Sequence, residues 1–211
     1  MRSVAFGFLF GLLLIGCSSN PPSGQQQKSA EPAKPAADAN KADTGRVAFQ
    51  RLYVAARGWA RDAMPVGLES QPTKEFPGKD GKAGVWRGTF GSASRQAMKP
   101  FTWSGVNADD APPPGISPGS EDSFNANNTS TRPFDFNYLK ADSDKAYEIA
   151  LAHGGKEFVA KNKDVEVRYT LSFDGRSNRL RWIVNMESTS AKARPLTVIL
   201  DATSGNFLKK G

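Results

Sequence analysis

From Val165 onward the chain alternates apolar and polar residues with a period of two. Val165, Val167, Tyr169, Leu171 and Phe173 fall on one side, and Glu166, Arg168, Thr170, Ser172 and Asp174 on the other. Leu180, Trp182, Val184 and Met186 repeat the pattern, as do Leu196, Val198 and Leu200. Such alternation predicts half-buried antiparallel strands. Gly175-Arg176-Ser177-Asn178 and Thr203-Ser204-Gly205 are the hairpin turns between them, and a last short strand covers 206–208. Just before these strands the period lengthens: Ala146, Ile149, Ala150 and His153 share one helical face, with N-cap candidates in Asp142-Ser143-Asp144. Gly154-Gly155 stops or kinks that helix, and Phe158 and Val159 add another turn.

The first half of the chain reads in the same order. Phe49, Leu52, Tyr53, Ala56, Trp59, Ala60 and Ala63 recur at three- and four-residue steps, with Asp43 or Thr44 as N-cap and Pro65 as terminator. Extended segments follow at 66–71, 83–91 and 95–104, the last two joined at Gly91-Ser92-Ala93-Ser94. Residues 105–132 are rich in Pro, Gly, Ser and Asn and predict a long, mobile surface loop lying outside the strands. Its acids Asp109, Asp110, Glu121 and Asp122 contrast with a basic chain, so the loop is expected to fold loosely over a basic face. Each half carries a tryptophan beside an arginine in its second strand, Trp86-Arg87 and Arg181-Trp182. The expectation is an α+β fold of two helix-on-antiparallel-sheet units, 44–131 and 132–211, related by a diverged duplication.

The amino terminus has a different pattern. Arg2 precedes an apolar run over residues 4–15, too short for a comfortable span, since a transmembrane helix needs ~20 apolar residues. A signal peptide over 1–17 is expected. Its ending, Leu14-Ile15-Gly16-Cys17, resembles the lipobox of bacterial lipoproteins. The resemblance implies that the Cys17 thiol is diacylglycerylated, that the peptide before it is removed, and that the new amino terminus is acylated, palmitate being a typical chain. Two or more acyl chains hold a protein at a bilayer where one is reversible. The implied location is the bacterial cell envelope, lipid-anchored and facing the periplasm; Ser18 in place of aspartate favours the outer membrane over the inner. Residues 18–43 contain Ser, Pro, Gln, Ala and Lys with almost no large apolar side chain, and are expected to form a disordered tether. A coil of that length reaches about 25–30 Å on average.

Formal charge is +7 over 211 residues, and loss of Arg2 with the leader lowers it by one, to +6. The cations are scattered rather than run together, which argues against a nucleic-acid partner; the basic balance implies either attraction to anionic headgroups or envelope polymers, or a solvated basic surface with no partner. Cys17 is the only cysteine and His153 the only histidine, excluding an intramolecular disulfide, a thiolate cluster and a two-histidine metal site. His153 at a helix end fits capping or packing better than catalysis. Asp142-Ser143-Asp144 lacks the spaced oxygens and glycine of a Ca²⁺ loop. Gly78, Gly81 and Gly84 with Lys79 and Lys82 match no phosphate-loop spacing and read as a basic turn. No metal or cofactor is expected. Trp86, Trp103 and Trp182 form a binding stripe if they face solvent, and core if they do not.

The second half resembles PepSY-like domains of exported bacterial proteins. The residues that carry the resemblance are Ala146-Tyr147-Glu148-Ile149-Ala150, Arg181-Trp182-Ile183-Val184 and the ending Val198-Ile199-Leu200-Asp201-Ala202-Thr203-Ser204-Gly205-Asn206-Phe207-Leu208. His153 to Phe158 and the final hairpin also resemble lipoproteins of acidobacterial type. The resemblance implies a small cystatin-like helix-on-sheet module that binds or inhibits secreted proteases or takes part in envelope sensing, with no catalytic residues. Asp201 and Gly205 match its motif, and their expected role is structural, the Asp bonding the turn backbone and the Gly taking positive φ. The expected function is non-enzymatic binding of an envelope protein or peptide. Inhibition or regulation of an envelope protease is the alternative, and a carboxylate-dependent hydrolase is a third reading.

Overall fold

The computed structural model describes residues 40–128, 131–189 and 193–211. Cys17, the expected leader and most of the expected tether lie outside the described residues. The end of the tether does not: the Lys41 amide donates to the Gly105 carbonyl at 2.7 Å, and Asp43–Thr44 (β1) pairs with Lys82–Ala83 (β3).

Every pairing among the described strands is antiparallel. After helix α1 (Gly45–Trp59) come β2 (Met64–Gln71), β4 (Val85–Ser92) and β5 (Ala97–Ser104). After helices α2 (Ser143–Ala150) and α3 (Lys156–Lys161) come β8 (Val165–Asp174), β9 (Arg179–Ser188), β10 (Leu196–Asp201) and β11 (Phe207–Lys210). With β6 (Gly115–Pro118) the sheet order is β11-β10-β9-β8-β2-β4-β5-β6. Each half runs outward from the centre in chain order. There β2 meets β8 in the register Gly67↔Ser172, Leu68↔Leu171 and Glu69↔Thr170, so the two expected units share one sheet.

Apolar positions of the strands face the helices, and polar ones such as Arg87, Arg168 and Glu187 line the other face, an arrangement that lets one side of an antiparallel sheet remain solvated. The core runs without a break from Phe49, Leu52 and Phe90 to Val184, Met186 and Val198. Trp86 and Trp182 are fully buried at its centre and meet edge-on, with ring centroids 6.4 Å apart. Each indole also finds a partner, as a buried N–H requires. Trp86 Nε1 donates to the Asp43 carbonyl and Trp182 Nε1 to the Ala141 carbonyl, both at 2.9 Å. Asp43 and Ala141 are equivalent positions, each one residue before the N-cap of its helix, Thr44 or Asp142. The N-termini of the two helices are joined: Ser143 Oγ accepts from the Gly45 amide at 2.7 Å and donates to the Gly81 carbonyl, and Asp142 Oδ1 accepts from the Arg46 amide at 2.8 Å.

Two sequence expectations change here. The first helix ends at Trp59 rather than at Pro65, because residues 60–63 turn back under the β4–β5 hairpin. There Asp62 accepts from the Ser92 hydroxyl and from the Ser94 amide, at 2.7 and 2.8 Å. The Ser92 hydroxyl, with the Ser94 amide, holds the Asp62 carboxyl down at about 2. Pro65 instead lies in β2 opposite Phe90.

Segment 105–132 was expected outside the strands, but it extends the sheet. β6 pairs with β5 from Phe101↔Pro118 to Ser104↔Gly115, and β7 (Asp122–Ser123) pairs with the start of β5. Two side chains anchor it. Val106 is fully buried, and the Phe124 ring covers Gly91 so closely that a Cβ there would lie 2.6 Å from it. Its acids do meet donors: Glu121 bonds Trp59 Nε1 at 2.8 Å, with Lys99 at 3.4 Å and Arg95 at 3.7 Å, and Asp110 accepts the Lys74 amide at 2.9 Å.

Candidate functional site

A cleft of about 740 Å³ opens where the β8–β9 and β10–β11 turns meet segment 132–138. One wall is the β10–β11 turn. Asp201 Oδ1 accepts from the Thr203 and Ser204 amides at 2.8 and 2.9 Å, and the Gly205 amide donates to the Asp201 carbonyl at 2.8 Å. Gly205 has φ 76°, which favours a residue without Cβ. Asp201 Oδ2 holds Arg179 Nη1 at 3.0 Å and so aims that guanidinium along the cleft. Burial alone would raise the Asp201 carboxyl. The Ser204 and Thr203 amides, with Arg179, more than offset that and keep it below its ordinary value. It is therefore ionised at neutral pH, with both oxygens engaged, and serves as a strut for Arg179 rather than as a proton donor.

The facing wall is segment 132–138, fixed at several points. The Phe134 amide donates to the Pro65 carbonyl at 2.9 Å, the Asp135 side chain caps the turn 136–138 through the Asn137 amide at 2.8 Å, and Thr203 Oγ1 donates to the Tyr138 carbonyl at 2.9 Å. Phe134 is buried, so the wall is rooted in the core, whereas Tyr138 is 54% exposed. The Arg132 guanidinium lies 5.0 Å over the Phe173 ring at the mouth. The floor at the β8–β9 turn is held by Asp174, which accepts from Ser177 Oγ at 2.6 Å and pairs with Arg181 at 3.1 Å.

The lining thus combines two guanidiniums and two carboxylates, Asp135 and Asp201, with the aromatic faces of Phe173 and Tyr138 and the amide of Asn178. Such a mixture offers apolar contact and hydrogen bonds to a chain with alternating polar and apolar groups. Sequence reasoning missed Arg132, Tyr138 and Arg179. The available signal was Arg132-Pro133 leading into the aromatics Phe134, Phe136 and Tyr138, a run that continues from a segment read as loop.

The other sequence candidates lie elsewhere. Trp86 and Trp182 are fully buried and Trp103 is 6% exposed, so the three rings belong to the core and present no stripe to solvent. Arg51 covers Trp103, its guanidinium 5.0 Å from the ring centroid. Gly81, in the glycine- and lysine-bearing turn, packs against Ser143 and Asp144. Tyr169 Oη donates to the Gly78 carbonyl at 2.7 Å, and burial pushes its phenol far above the ordinary value. That turn is a packing junction. His153 sits in a π-turn, Leu151–Gly155, that links α2 to α3; its ring stacks on Phe207 at 3.7 Å. Among the described residues no three His, Cys, Asp or Glu side chains gather as metal ligands, and no helix is long and apolar enough to cross a membrane.

The fold defines the class: an α+β domain with helices on one face of a large antiparallel sheet, beside the short β1–β3 ribbon. A "putative lipoprotein" from Clostridium difficile 630 has a similar crystal structure, with a TM-score of 0.54 at 14% identity, covering 80% of this chain and 95% of that one. At that identity the likeness is one of fold. No protein-family model matches the chain, and no curated protein does.

Proposed function

We propose that this chain is a lipid-anchored protein of the bacterial cell envelope whose folded domain binds polypeptide segments in the cleft beside Asp201, without catalysing a reaction. The observation that carries the binding role is the cleft: about 740 Å³, walled by backbone-anchored turns, with Arg179 held in place and Tyr138 exposed. Rigid walls lower the ordering cost of association. The anchor rests on the lipobox-like ending at Cys17, and Ser18 after it favours the outer membrane. The fold likeness to a protein itself named as a lipoprotein agrees with that reading. The Asp201–Gly205 turn fits the PepSY-like ending noted in the sequence, and the paired tryptophans with equivalent carbonyl partners support a diverged duplication.

Two measurements test the proposal. Metabolic labelling with a fatty acid should mark the wild type and leave Cys17→Ser unlabelled and unprocessed; label retained by the variant contradicts the anchor. Peptides selected by display on the full chain should lose at least about tenfold in affinity on Arg132→Ala/Tyr138→Ala, the scale of one or two lost interface anchors. Unchanged affinity places binding elsewhere.

A further inference from the structure

At the far edge of the sheet a second, shallower depression of about 340 Å³ lies between α3 and the β10–β11 hairpin. Phe158, Pro195 and Leu196 give it an apolar floor, and Lys161, Arg194 and Lys210 surround it, with Glu157 as its carboxylate. The three cations are exposed, and none has an ion-pair or hydrogen-bond partner among the described residues. Lys210 reaches this position because Gly154 has no side chain: a Cβ there would lie 2.6 Å from its Nζ. The arrangement differs from that of Lys99 and Arg95, which share the Glu121 carboxylate.

We infer that this corner docks onto anionic phospholipid headgroups. Three convergent cations around one depression suit a phosphate diester, whose oxygens accept from ammonium and guanidinium alike. The apolar floor suits the glycerol backbone and first acyl carbons that a phospholipid carries behind its headgroup and a free phosphate lacks. Clustered lysines and arginines near a membrane surface draw it to anionic lipid and lose that attraction within a Debye length. The inference rests on the proposed anchor at Cys17, which would keep the domain within reach of a bilayer.

The test uses the full lipid-bearing chain in nanodiscs of phosphatidylcholine alone or with 30% phosphatidylglycerol. Hydrogen exchange over 156–162 and 207–211 should slow several-fold in the anionic discs, and the slowing should vanish in 0.5 M salt. The variant Lys161→Gln/Arg194→Gln/Lys210→Gln should weaken docking on the order of a hundredfold, about fivefold per cation removed. Its exchange in phosphatidylcholine discs should match the wild type, which shows that it folds. Equal exchange in the two disc types, or slowing that survives in the variant, overturns the inference. Slowing produced in phosphatidylcholine discs by millimolar inorganic phosphate overturns the lipid assignment in favour of a soluble phosphate. Mass spectrometry of the loaded chain reads the acyl group separately, so a missing anchor and a failed corner are distinct results.

Discussion

At the β5 end of the sheet Arg95 and Lys99 lie over the ring of Trp59 and share the carboxylate of Glu121, whereas at the β11 end Lys161, Arg194 and Lys210 have no such partner among the described residues. The interior does not follow this difference. In both halves a helix begins one residue after an N-cap, a tryptophan of the second strand bonds the carbonyl just before that cap, and the two indoles meet in the middle. What separates the halves is added to the surface. The first has segment 105–132, which lengthens the sheet with β6 and β7 and supplies Glu121; the second ends in the Asp201 turn, leaving a cleft on one side and an uncovered basic corner on the other. The common scaffold thus explains stability, and the unshared surface is where binding is proposed.

The largest test of this comparison is at its centre. Trp86→Ala and Trp182→Ala should each destabilise by ~3–5 kcal/mol in chemical denaturation, and by similar amounts, because both rings are fully buried and bonded alike. A near-zero cost for one would break the equivalence of the halves. Next is the link between the helices. Ser143→Ala removes the acceptor of the buried Gly45 amide and the donor to the Gly81 carbonyl, and should cost about 1–3 kcal/mol. A negligible loss would mean that the helix ends are satisfied independently.

A pH measurement sharpens the picture of the hairpin anchors. The Asp62 carboxyl lies near 2 when folded, below its ordinary value of 3.8, so its contribution is complete above about pH 4 and fades as pH falls toward 2. Asp62→Asn should therefore flatten that part of the acid limb while leaving the slope above pH 5 unchanged; a limb identical to wild type would show that the Ser92 and Ser94 bonds do not form. The smallest effect belongs to Glu121. The Trp59 indole N–H, then Lys99 and Arg95, hold its carboxyl below the ordinary range, yet the group is exposed. Glu121→Gln should leave the unfolding midpoint almost unmoved while shifting Trp59 fluorescence. A large stability loss would mean that β6 and β7 depend on this contact.

Much of the second half was legible in the sequence, since the period-two alternation of Val165 to Phe173 and Leu180 to Met186 is that of strands with one dry face, and β8 and β9 follow it. The helix over Ala146 to Ala150 and its break near Gly154 were legible for the same reason. Segment 105–132 was not, because an edge strand as short as Gly115–Pro118 is held by backbone bonds to β5, and its exposed side chains carry no pattern. The single-sheet arrangement was hidden too: the Gly67↔Ser172 pairing joins residues about a hundred positions apart, and no local period reports it. Of the site, Asp201 and Gly205 stood out through their turn, while Arg132, Tyr138 and Arg179 did not, since a guanidinium aimed by a distant carboxylate looks like any surface arginine until the fold brings them together.

The claim that polypeptide binds at the cleft is tested most directly by photocrosslinking in intact cells. Benzoylphenylalanine in place of Tyr138, 54% exposed and lining the cleft, is compared with the same group in place of Val54, 74% exposed on α1 and outside it. The account predicts protein adducts from position 138 that Arg132→Ala diminishes, and none of the same mass from position 54. Equal adducts from both positions, or none from position 138, would contradict it.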